Sequence, residues 1–340
     1  MSPQGQLPAY EWDFSDVNPP VHAFAALQVY KTEGKLYGKK DLIFLKSIFQ
    51  KLIINFTWWI NRKDANGNSI FEGGFLGLDN IGLFNRDMHF SDNTILEQTD
   101  GTSWMGMYAL DMMNIALEIA MNDISFEPTA TKFYEHFVII AEALNELGLW
   151  DEKDKFFYDI LSVNKSESFP LRVRSLVGLS PIFAVTVIQK EVFDQLPDFS
   201  KRMKWFQNYR KRMNLYLPLE ESENLKCNLF SLVDKERLKY LLEKLLDESE
   251  FLSEGGIRAL SKFYQNNPYS LEFAGTQYSI EYDPGDSTSG MFGGNSNWRG
   301  PVWMPVNYLF IKAFKTVGYF YEDSLKVECP VRSGSYLSLT

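Results

Sequence analysis

The stretch Thr102-Ser103-Trp104-Met105-Gly106-Met107-Tyr108-Ala109-Leu110-Asp111-Met112-Met113-Asn114-Ile115-Ala116-Leu117-Glu118-Ile119 decides how the rest of the chain is read. Its residues Trp104, Tyr108, Met112, Ile115, Ala116 and Ile119 recur at three- and four-residue steps, which puts them on one helical face. Thr102 or Ser103 supplies an N-cap just after the helix-breaking Gly101. The same period runs from Pro128 through Phe133, Phe137, Ile140, Ala141 and Leu144 to Gly148. It returns at Val21 to Lys31, Asp41 to Asn61, Arg174 to Gln189, Phe199 to Met213, Asp234 to Asp247, Gly256 to Tyr264 and Pro305 to Phe320. About nine helices with few clear strands between them predict an all-α domain over residues 1–340, with short strands confined to loops such as Gln277 to Tyr282. Between the helices, long connections rich in Gly, Asn, Asp and aromatics alternate with short ones. That alternation fits stacked αα-hairpins with the functional site on one rim.

Composition narrows the function classes. The 340 residues carry 34 Lys and Arg against 44 Asp and Glu, a net charge of -10. Nucleic-acid binding needs clustered cations, so no nucleic-acid partner is expected. The two cysteines, Cys227 and Cys329, argue against a disulfide framework and against a thiolate metal site. The polar, acidic amino terminus has no secretory pattern and no apolar run is long enough to span a bilayer, so a cytoplasmic protein without a membrane partner is expected. His22, His89 and His136 are too scattered for metal-ligand spacing, and Asp64, Asn66, Gly67 and Asn68 misplace the glycine of a calcium loop. No metal is expected. Without a Walker loop, dinucleotide fingerprint or Gly-x-Ser-x-Gly elbow, no cofactor is expected either. The cationic run Lys201 to Arg212 reads as a solvated helix face opposite a packed one.

Three loops hold the residues with chemical potential. In Phe71-Glu72-Gly73-Gly74-Phe75-Leu76-Gly77-Leu78-Asp79-Asn80 the glycines let the backbone bring Glu72 or Asp79 close to a ligand, although a glycine-rich turn with solvated carboxylates has the same composition. In Leu96-Glu97-Gln98-Thr99-Asp100-Gly101 the acid Asp100 suits a helix start, while Glu97 has no such explanation. The segment Gly290 to Pro305 crowds Trp298, Arg299 and Trp303 among glycines and amides. Sugar rings pair apolar faces with polar rims, so such a loop suits carbohydrate; the plainer alternative is that both tryptophans plug the core.

These loops resemble those of glycoside hydrolase family 63 and its bacterial relatives, which include processing α-glucosidases and glucosylglycerate or mannosylglycerate hydrolases. The resemblance rests on Gly77-Leu78-Asp79-Asn80, on Trp298-Arg299-Gly300-Pro301-Val302-Trp303 and on Val306-Asn307-Tyr308-Leu309. It implies an (α/α)6 toroid and an inverting glycosidase acting on an α-linked glucoside or mannoside, with Asp79 as general acid. Arg299 would then grip sugar hydroxyls, Trp298 and Trp303 would form the apolar wall, and Asn80, Glu97 and Asp100 would join them in binding an oligosaccharide or small glycoside. The family's general base is a glutamate in a later motif without a counterpart before Thr340. About nine helices also fall short of the roughly twelve of a closed toroid, so an incomplete catalytic domain is expected. Glu97, Asp100, Glu281 and Asp286 remain as substitutes for the base. The alternatives are a non-catalytic sugar-binding or scaffold module and, from another class, an isoprenoid-binding toroid, for which no aspartate-rich motif is present.

Overall fold

The computed structural model describes residues 1–11, 16–62, 69–71, 76–86, 88, 90, 94–163, 167–288 and 296–339. Its helices are α1 (His22–Tyr37), α2 (Leu42–Ile60), α3 (Thr99–Ala120), α4 (Glu127–Glu146), α5 (Leu176–Leu179), α6 (Lys190–Gln195), α7 (Pro197–Arg212), α8 (Lys235–Leu245) and α9 (Met304–Tyr321). Helix α3 is the axis of the core. Every residue in it except Asn114 and Glu118 is buried, so it is covered nearly all round rather than on one face. Helices α1, α2 and α4 pack against it. At Gly106 a Cβ would lie 2.6 Å from Leu232 Cδ1, so only a glycine lets this neighbour approach so closely.

Local signals place several helix starts. The Asp41 side chain accepts the Phe44 N–H at the start of α2, and Asp234 accepts the Arg237 N–H at the start of α8. Helix α3 behaves differently. It begins at Thr99, ahead of the expected cap, and takes Gly101 inside. Its first N–H is capped from a distance, by Asp159 Oδ1 at 2.8 Å.

The all-α (α/α)6 expectation is corrected here: 47% of the described residues are helical and 19% lie in strands. A three-stranded antiparallel sheet joins β1 (Thr94–Glu97), β4 (Asp159–Val163) and β5 (Glu167–Leu171), next to a small hairpin of β2 (Trp150–Asp151) and β3 (Phe156–Phe157). A second three-stranded sheet orders β6 (Val185–Gln189), β8 (Cys227–Ser231) and β7 (Leu219–Ser222). Three hairpins complete the set: β9 (Leu252–Ser253) with β10 (Gly256–Ile257), β11 (Tyr269–Phe273) with β12 (Thr276–Ile280), and β13 (Lys326–Glu328) with β14 (Tyr336–Ser338).

Two expected helices give way for physical reasons. Over Arg174 to Gln189 the chain makes only the single turn α5 and a 3₁₀ turn at Ser180–Phe183 before entering β6. Pro181 lacks an N–H, and the β-branched run Val185-Thr186-Val187-Ile188 pairs with Leu229, Phe230 and their neighbours on β8, a partner no local pattern reveals. Over Gly256 to Tyr264, Gly256 sits at φ +131°, outside any helix, and pairs in β10. The strand expected near Gln277 to Tyr282 is present as β12, turned at Ala274 and Gly275, both at positive φ. The cationic helix α7 packs Phe206 on Tyr134, while Trp205 and Tyr209 stack on its exposed side. Among the described residues no helix is long and apolar enough to cross a membrane.

A smaller apolar cluster supports one loop in particular. Phe84 meets Phe90, Phe273 and Tyr278 edge-on, with ring centroids 4.6–5.8 Å apart. The loop that follows Asp79 is thereby anchored on the β11–β12 hairpin, which feeds the chain toward Trp298.

Candidate functional site

Two distant segments meet at one junction, and Asn80 joins them. Its backbone is left-handed, at φ +52°, a conformation that Asn tolerates better than most residues. The side chain donates from Nδ2 to Asn297 Oδ1 and Ser287 Oγ, each at 3.1 Å, and accepts the Trp298 N–H at 2.8 Å. Its carbonyl accepts Arg299 Nε at 2.7 Å. Arg299 Nη2 donates to the Gly82 carbonyl at 3.3 Å, so this guanidinium clamps the 79–82 loop to the tryptophan segment. Burial pulls the Arg299 pKa down, and the charges of Asp283 and Glu281 push it back up.

Asn297 completes the junction. It accepts from Asn80 and from the Arg299 N–H, and it donates to the carbonyls of Asp283 and Gly285 at 2.6 and 2.9 Å. Its own carbonyl accepts Trp303 Nε1 at 3.0 Å. Trp298 and Trp303 stack with centroids 4.4 Å apart and planes 14° from parallel. Trp298 is buried, whereas Trp303 keeps part of its surface. Gly300, at φ +154°, passes so close to Tyr282 and Pro284 that a Cβ would lie 2.8 Å from the tyrosine ring. These contacts hold the tryptophan pair in one geometry.

Asp79 is the chain neighbour of this hub and is itself buried, 8% exposed. Its Oδ1 finds no hydrogen-bond partner among the described residues. Burial raises the Asp79 pKa, a hydrogen bond from Ser296 lowers it, and the charge of Asp16 raises it further. A carboxyl shifted upward in this way suits proton donation.

Asp100 and Glu97 belong to a different arrangement at the head of α3. Asp100 Oδ1 pairs with Arg86 Nη2 at 2.5 Å, and both side chains are almost wholly buried. Asp159 joins this cluster. Its pKa is pushed up to about 6 by burial, with Arg86 lowering it and Asp100 raising it. Asp100 is thus the partner of a buried cation as well as an acid in the first helical turn. Glu97 ends β1 opposite Ile160 and is half-buried. Trp104, one turn into α3, is buried with its ring against Phe183 at 5.4 Å, in the core rather than on a rim.

The junction therefore brings together Asp79, Asn80, Trp298, Arg299 and Trp303, while Asp100 is engaged elsewhere. Glu72, Gly73, Gly74, Phe75, Asp64 to Asn68, His89 and the 289–295 part of the tryptophan segment lie outside the described residues. Sequence reasoning passed over Arg86, Asp159 and Asp16 because none sits in a motif, and their roles depend on partners 14 or more positions away. His22 is a packed residue, with Nε2 2.7 Å from Asn55 Oδ1, and His136 lies edge-on to Phe56. Among the described residues no group of three His, Cys, Asp or Glu side chains gathers to hold a metal.

No protein-family profile matches the chain. An uncharacterized protein of Saccharomyces cerevisiae, YMR196W, is 46% identical over 358 aligned positions, which cover 100% of this chain and 33% of the yeast protein. The chain thus spans about a third of the length of the curated relative it matches. Among solved structures, an uncharacterized conserved protein from Thermus thermophilus superimposes with a TM-score of 0.53 at 14% identity, covering 94% of this chain and 72% of that one. A family 63 mannosylglycerate hydrolase from the same organism, in complex with glucose, superimposes with a TM-score of 0.50 at 14% identity and the same coverage. The chain therefore has a fold like that of a family 63 glycoside hydrolase.

Proposed function

We propose that the junction of Asp79 with the Trp298–Trp303 stack is the proton-donating side of an inverting α-glycoside hydrolase site, acting on an α-linked glucoside or mannoside. The observation that carries this reading is the Asp79 carboxyl, which is buried, raised in pKa and has an Oδ1 without a partner among the described residues, one position before the Asn80 that holds the Trp298 N–H. In its protonated form it donates to the departing glycosidic oxygen. Inversion requires a second carboxylate about 6.5–9.5 Å away to activate water on the opposite face of the sugar. Asp100 is a poor base in this scheme because Arg86 already engages it. We assign the acid to this chain and leave the base unassigned. The exposed part of Trp303 takes the apolar face of a sugar ring, and Arg299 acts mainly by holding Asn80 and Trp298 in place.

The test is Asp79→Asn, assayed for release of glucose or mannose from α-linked substrates by this chain and by a longer protein that contains it. Loss of turnover with retained binding is expected, and turnover in the wild type should fall as pH rises past the raised Asp79 pKa. Unchanged turnover in Asp79→Asn sinks the assignment. The engagement of Asp100 by Arg86 favours a second reading, a sugar-binding module without hydrolysis. Calorimetric binding of oligosaccharide without product, weakened by Trp303→Ala at an unchanged melting temperature, supports that reading instead.

A further inference from the structure

Helices α1, α3 and α9, with residues 183–186, line a polar cavity of about 160 Å³, which has room for roughly ten water-sized groups. None of Asp79, Asn80, Trp298, Arg299 and Trp303 lines it. Its deepest charged group, Asp111, is eleven positions after Asp100 on α3, about 16 Å along the helix axis at 1.5 Å per residue. Three charged side chains line it, one from each helix: Lys31 from α1, Asp111 from α3 and Lys312 from α9.

Of the three, Asp111 is buried, Lys312 is half-buried and Lys31 is exposed. Asp111 is 8% exposed, and its buried Oδ2 has no hydrogen-bond partner among the described residues. Such a group in a native fold needs an explanation, because leaving it unpaired is costly. Lys31 and Lys312 have no ion pair among the described residues, whereas nearby Lys40 pairs with Glu118 at 2.5 Å. Burial lowers the Lys31 pKa, the charges of Glu118 and Asp111 oppose that shift, and the smaller effects of Lys40 and Lys312 add to it. Two ammonium groups that line one cavity from different helices can share an anion between them. Asp111 adds an acceptor for a hydroxyl hydrogen. Asn114 and Thr186 are already bonded to each other at 3.1 Å, and Thr316 Oγ1 donates to the Lys312 carbonyl at 3.0 Å, so the charged trio and Gln28 are the polar side chains left to meet a ligand.

We propose that this cavity binds a small hydroxylated anion, a phosphate monoester or carboxylate, with its charge between Lys31 and Lys312 and a hydroxyl donating to Asp111. Phe24, Leu27 and Leu309 line the same cavity and face the carbon skeleton. The site is independent of the proposed hydrolase chemistry, and it can be right whether or not that reading holds.

The test is calorimetric titration of the full chain with glycerol 3-phosphate, inorganic phosphate, malate and neutral glycerol. Hydroxylated anions should bind between the micromolar and millimolar range, and glycerol should not; comparing glycerol 3-phosphate with malate distinguishes phosphate from carboxylate as the preferred group. Lys31→Met and Lys312→Met should each weaken anion binding by about tenfold or more. Asp111→Asn, nearly isosteric, should weaken glycerol 3-phosphate relative to inorganic phosphate, from whose site it removes a like charge, a difference that simple misfolding does not produce. Asp79→Asn should not alter any of these affinities. The proposal is overturned if glycerol binds as well as glycerol 3-phosphate, if the lysine variants bind as the wild type does, or if no anion binds the folded chain. Should Lys312→Met fail to fold, Lys312→Gln takes its place with the same expected loss.

Discussion

Replacing Asn80 by Ala tests whether one residue really holds the two site segments together. The substitution removes three side-chain hydrogen bonds, two donated by Nδ2 and one accepted from the Trp298 N–H. At about 1 kcal/mol net for each bond, that is about 3 kcal/mol. Ala must also adopt the left-handed backbone at φ +52°, which adds about 1–2 kcal/mol. The expected cost is therefore about 4–5 kcal/mol. With an unfolding entropy of about 2.1 cal/mol/K per residue over 340 residues, this lowers the melting temperature by about 6–7 °C. Asn80→Gly separates the two contributions. It loses the same bonds without the backbone strain, but its unfolded chain is about 0.5–1 kcal/mol more favoured by entropy. The Gly variant should thus exceed the Ala variant in stability by about 0.5–1 kcal/mol. Urea unfolding, followed in parallel by tryptophan fluorescence and far-UV circular dichroism, measures both. A cost below about 1 kcal/mol for Asn80→Ala, or an Ala variant more stable than the Gly variant, would refute the reasoning.

Arg86→Met should destabilise by about 3–5 kcal/mol because it strands Asp100 and Asp159 in the interior, and adding Asp100→Leu should restore a good part of that loss in a double-mutant cycle. Additive losses would show that the pair is not coupled. Asp111, raised to about 7 by burial with Lys31 opposing, disfavours the folded state once ionised. Its penalty is absent below the unfolded pKa near 3.8 and grows as pH rises to about 7, so stability should fall across that window by a few kcal/mol. Asp111→Asn should flatten this part of a melting-temperature profile, and an unchanged slope would assign the pH dependence to other groups.

Much of the helical part was legible because its causes are local. The stretches that became α2, α4, α7, α8 and α9 carry their own period, and Asp41 and Asp234 mark two of the starts. The segments that became β6 and β10 were misread, since a short apolar run fits either period and only pairing with β8 and β9 decides between them. At the site, the crowding of Trp298, Arg299 and Trp303 was visible as composition. That Arg299 reaches back 219 positions to the Asn80 carbonyl was not. Asp100 looked like a helix-start acid, and it is one; its pairing with Arg86 could not be inferred from spacing.

By itself the amino-acid order determined where most long helices form, which loops are aromatic and acidic, and which nucleic-acid and disulfide classes the composition disfavours. Propensity, capping and hydrophobic period act over a few residues, so a linear reading can reach them. Tertiary structure alone decided which strands pair, which carboxylates are open and which are neutralised by a buried arginine, and that Lys31, Asp111 and Lys312 face one cavity. Burial and Coulomb interaction depend on distances in space, and helices far apart in the chain set those distances only when they pack.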